Sequence, residues 1–83
     1  MAGRELSVMP PGEAERFILG LLRAGGRMTT MEVNSAAAGQ GRRCPDETPR
    51  FLMKLKLKGI ICGEVSQEKR GWVWWAKEPD VPG

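Results

Sequence analysis

The stretch FLMKLKLKGII, residues 51–61, changes its repeat halfway along. On a helical wheel Phe51, Leu52 and Leu55 share one side, while Arg50, just before the stretch, and Lys54 fall opposite, four residues apart. At Gly59 that pattern stops. From Ile60 onward Ile61, Gly63 and Val65 alternate with Cys62, Glu64 and Ser66, the two-residue period of a strand. GWVWWA, residues 71–76, is a second strand by its aromatic and β-branched content, and the polar run Gln67 to Gly71 separates the two. A helix feeding a two-stranded hairpin is expected, with Lys69 and Arg70 on the tip and Gly71 available for a positive φ.

Working upstream, two prolines and Asp46, a plausible cap, mark the start of this helix. Pro49 falls in its first turn, where an N–H would have had no intrahelical partner, so the helix can run on to Lys58. Before it, Thr29 or Thr30 can cap a second helix through a hydroxyl. That helix reaches about Ala38, buries Val33, Ala36 and Ala37, and is broken by Gly39, Gln40 and Gly41. Arg27 and Met28 form a very short strand ahead of it. A first helix begins at Pro10 and Pro11, carries Ala14, Phe17, Ile18, Leu21 and Leu22 at three-four spacing, and ends at Gly25 and Gly26. Residues 1–10 show no period and read as a flexible segment, 11–77 as one domain, and 78–83, with two prolines, as a disordered tail.

A chain of 83 residues holds one core and little more. With 41% hydrophobic and 28% charged residues it reads as an ordinary globular protein. No run approaches the roughly 20 apolar residues of a membrane span, and no apolar leader is apparent at the N-terminus, so a cytoplasmic protein is expected. There is no histidine, and the two cysteines, Cys44 and Cys62, stand far apart. Zinc or haem ligation and a Ser-His or Cys-His nucleophile therefore lack their usual residues, and neither cofactor nor enzyme activity is expected. Reduced, partly buried thiols are the expected state of both cysteines.

The formal charge is +3, unevenly placed. Residues 1–41 balance four bases against four acids, whereas residues 42–77 carry nine bases against four acids. Such an asymmetry is the footprint of a polyanion-binding face, although a charge run is also what a solvated helix side looks like.

The order helix, short strand, helix, turn, helix, hairpin resembles winged helix-turn-helix DNA-binding domains. So does the spacing Leu52, Leu55, Gly59, Ile60, Ile61, and the likeness covers residues 11–77. RGWVWWA looks most like the second wing strand of small ArsR- or MarR-type regulators, but the metal-sensing cysteines of the ArsR type are not matched. The resemblance implies an α+β fold, a three-helix core with a C-terminal two-stranded β-hairpin wing. It also implies a role in transcription regulation by binding double-stranded DNA, with the third helix in the major groove and the wing on the backbone. On that reading Arg50 donates to a guanine edge. Lys54, Arg42, Arg43, Lys69 and Arg70 mainly meet phosphates, and Thr48 and Lys58 join the DNA-contacting set. Asp46 and Glu47 complicate it, since two acids at the start of a reading helix repel phosphates while favouring the helix dipole.

Two features leave other roles open. Met53 and Leu57 form an apolar pair on the far side of the third helix, where the family usually has polar residues. This pair suits a second copy of the chain, another protein, or the loose N-terminal segment with Leu6, Val8 and Met9, and a winged helix can serve protein contact in a larger assembly. The three tryptophans can stack on single-stranded bases, but on so small a hairpin core or edge cover is the commoner role.

Overall fold

The computed structural model describes residues 6–77; the tail expected at 78–83 and the first five residues lie outside them. Three helices, α1 (Pro11–Gly25), α2 (Thr30–Gly39) and α3 (Thr48–Leu57), combine with two small sheets into an α+β fold. One sheet pairs β1 (Ser7–Val8) with β3 (Arg42–Arg43) in parallel. The other runs β2 (Met28–Thr29), β5 (Gly71–Ala76), β4 (Ile61–Ser66), each pair antiparallel.

Local chemistry sets the helix ends. Pro11 opens α1, where its lack of an N–H costs nothing. A reciprocal capping box opens α2: Glu32 N–H donates to Thr29 Oγ1 at 3.1 Å, and Thr29 N–H donates to Glu32 Oε1 at 2.9 Å. The Thr29 N–H, and after it the Thr29 hydroxyl, hold the Glu32 carboxyl below its ordinary range. At the end of α3 the chain turns through Gly59, whose φ of 79° lies in the left-handed region. Ile60 N–H reaches back to the Leu55 carbonyl at 3.0 Å and Gly59 N–H to that of Lys56 at 2.9 Å, which satisfies the last carbonyls and aims the chain into β4.

The three helices and the sheet enclose one core. Ala14, Ile18 and Leu22 from α1 meet Val33 from α2, Phe51, Leu52 and Leu55 from α3, and Ile61 and Trp74 from the strands. Trp74, 1% exposed, stands opposite Met28 on one side and Gly63 on the other, so all three strands of its sheet meet at this residue. Its Nε1–H donates to Thr30 Oγ1 at 2.8 Å, and its ring stacks on Trp72 with centroids 5.1 Å apart. Gly63 is the residue that admits this ring, because a Cβ there would come within 2.6 Å of the indole Cζ3.

Four expectations are corrected. The segment up to residue 10 is not loose throughout: Ser7 N–H donates to the Gly41 carbonyl at 2.8 Å, Met9 N–H to that of Arg43 at 2.9 Å, and the Met9 side chain is 1% exposed in the core. The hairpin gains a third strand, Met28–Thr29, because β5 still had an unpaired edge to offer. Arg70, at φ 57°, takes the left-handed position expected for Gly71, which instead pairs with Ser66. Asp46 is not the cap of α3: the helix begins two residues later and Glu47 holds that place without a side-chain bond.

Cys44 is buried and Cys62 is half-buried, and both are free thiols. Burial pushes the Cys44 thiol up, against a hydrogen bond with Thr48 that pulls it down. Alkylation of the native protein should therefore modify Cys62 promptly and Cys44 only on unfolding; prompt modification of both would contradict this packing.

Candidate nucleic-acid interface

The outward side of α3 follows from its inward side. With Phe51, Leu52 and Leu55 fixed in the core, Arg50 and Lys54 come up one turn apart on the exposed side, and Lys58, the C-cap, is exposed just past the last turn. The run from Arg50 to Lys58 is about 12 Å long. The helix is also tied to α2, since Thr48 Oγ1–H donates to Asn34 Oδ1 at 2.8 Å. Thr48 is half-buried, and its hydroxyl proton serves the α2–α3 joint rather than solvent.

Asp46 occupies a place that its spacing from Lys54 did not reveal. One carboxylate oxygen accepts the Glu47 N–H at 2.8 Å and the other accepts Lys54 Nζ at 3.2 Å. These two bonds, in that order, hold the carboxyl below the ordinary aspartate range, with the charges of Lys54 and Arg50 helping. The entry to α3 therefore presents an acid, Asp46, bound to Lys54 and close to Arg50.

The remaining cations divide into groups. Lys69 and Arg70 are exposed at the tip of the β4–β5 hairpin, where Lys69 N–H donates to Ser66 Oγ at 3.2 Å and tightens the turn. Arg42 and Arg43 are neighbours on a strand and so point oppositely. Arg42 turns to α1, 3.8 Å from Glu13 and over the Phe17 ring at 5.7 Å, and is thereby separated from the other cations. Arg43 is exposed and lines a groove of about 690 Å³ with Leu6, Met31, Asn34, Thr48 and Pro49. On the outer face of the larger sheet Arg27 is bound to Glu64 at 3.0 Å and lies 4.1 Å over the Trp75 ring, with Glu32 and Lys69 nearby. Glu68 lines the same face, which therefore carries three acids against two bases. Among the described residues Arg50, Lys58, Lys69 and Arg70 make no ion pair, and neither do Arg16 and Arg23 on α1, Arg43, Lys56 or Lys77, whereas Lys54 is held by Asp46.

The apolar pair expected on α3 is not a pair on the surface. Met53 packs against the core from the side, and Leu57 alone is outside, 77% exposed. Among the described residues no group of three or more acids and cysteines could hold a metal ion, and no helix is long and apolar enough to cross a membrane. No known protein family, curated protein or solved structure matches the chain.

Proposed function

We propose that the chain is a winged helix-turn-helix domain that binds double-stranded DNA as a cytoplasmic regulator, with α3 in the major groove and the β4–β5 hairpin against the backbone. The observation that carries this reading is the division of α3 into a sealed apolar side and an exposed side bearing Arg50 and Lys54, with Lys58 exposed at its C-cap. Three further features support it: α3 is fixed to α2 by Thr48 and Asn34, β2 joins the hairpin as its third strand, and Lys69 and Arg70 stand at the tip. Arg50 supplies a forked donor suited to a guanine edge, while Lys54, Lys58, Lys69, Arg70 and Arg43 meet phosphates. Arg42, engaged with α1, contributes little.

Binding of labelled random-sequence duplex, followed by anisotropy at low salt, tests the reading. Arg50→Ala with Lys54→Ala should weaken it about tenfold or more. Unchanged affinity would reject it.

A protein-contact role is the second reading, favoured by Leu57 on α3 and Met31 on α2, each 77% exposed. Association that ignores salt and is lost in Leu57→Glu would establish that reading in place of the first.

A further inference from the structure

We infer that Asp46 is a specificity-determining residue, which with Arg50 gives α3 a preference for G·C base pairs over A·T. This deepens the duplex-binding reading and rests on it. An acid at the entry to a helix meant only to hold phosphates weakens contact with the backbone, since like charge repels it. Asp46 is nevertheless held there from two directions, by the Glu47 N–H at 2.8 Å and by Lys54 Nζ at 3.2 Å. Its side chain is 29% exposed, so it keeps an open side. A carboxylate accepts about four hydrogen bonds, and two are used here.

In the major groove a G·C pair offers two acceptors on guanine and one amino donor on cytosine, and an A·T pair has no cytosine-type donor in that place. Arg50 carries the fork that matches guanine O6 and N7, and Asp46 carries the acceptor that matches cytosine N4. The two sides of the code are thus both present where the chain enters α3. Lys54 can leave Asp46 for a phosphate when the duplex docks, which frees a further lone pair for the base. Glu47, next in sequence, is exposed and makes no side-chain bond to Lys54, so it has the same charge without the same placement.

The test measures affinity for three duplexes of equal length, one of G·C pairs, one of A·T pairs, and one of inosine·cytosine pairs. Inosine·cytosine keeps the major-groove pattern of G·C and has the minor groove of A·T. The wild-type chain should bind the G·C and inosine·cytosine duplexes alike and the A·T duplex about tenfold more weakly. Asp46→Ala should raise affinity for the A·T duplex and bring the ratio close to one, whereas Glu47→Ala should raise affinity for all three and keep the ratio. If both variants raise affinity with the ratio unchanged, Asp46 is only a counter-ion and the inference is overturned. Wild-type binding without preference among the three also overturns it. Absence of any duplex binding at low salt would instead remove the underlying reading.

Discussion

Replacing Trp74 with alanine should lower stability by about 3–5 kcal/mol, the usual cost of removing a large aromatic from a packed core. For a domain this small that is most of the expected stability, so the melting temperature should fall by about 20 °C or more in circular dichroism. Several losses coincide at this position. The ring fills the space over Gly63, stacks on Trp72, and bridges to α2 through Thr30. It also stands where β2, β5 and β4 meet, so its removal loosens the sheet as well as the core. Gly63→Ala approaches the same contact from the other side and should destabilise too, because the added methyl and the indole cannot share the space. A Trp74→Ala shift of only a few degrees would mean that this residue is not the joint between helices and sheet.

The second large effect is ionic. If Arg43, Lys54, Lys58, Lys69 and Arg70 each neutralise a phosphate, the logarithm of duplex affinity should fall against that of salt with a slope of about −4 to −5. Between 50 and 200 mM salt this amounts to a loss of about 500-fold. Lys69→Ala with Arg70→Ala should bring the slope nearer zero by about two while leaving sequence preference alone, since the hairpin tip meets only backbone in this arrangement. A slope near zero would remove nucleic acid as the partner. Lys54 is informative here, because it starts in a bond to Asp46 and must exchange that partner for a phosphate. If it fails to exchange, the slope will be smaller by about one.

The parts of this fold that repeat at short range were legible in the sequence. The spacing of Phe51, Leu52 and Leu55 gave α3 its buried side, and the alternation after Ile60 gave β4, because each pattern is written in neighbouring residues. The two-residue strands were not legible in the same way. Ser7–Val8 is too short to display a period, and its partner Arg42–Arg43 lies far along the chain, so only assembly reveals the pairing. Met9 looked like one more apolar residue in an unpatterned segment until that pairing carried it into the core. The site divides similarly. Arg50 and Lys54 were visible as an outward pair, whereas the bond from Lys54 to Asp46 depends on how the chain enters α3, which spacing does not encode. Likewise the turn before β5 placed its strain on Arg70 rather than on the adjacent glycine, since hairpin register decides which residue sits at the bend.

The seam between β1 and β3 gives the linker ahead of α3 an anchor outside the helix pair it joins. With Ser7 tied to Gly41 and Met9 tied to Arg43, the run leading into α3 is clamped at its upstream end by a ribbon that enters α1 directly. Strain on that ribbon is therefore transmitted to the mounting of α3 as well as to the start of α1.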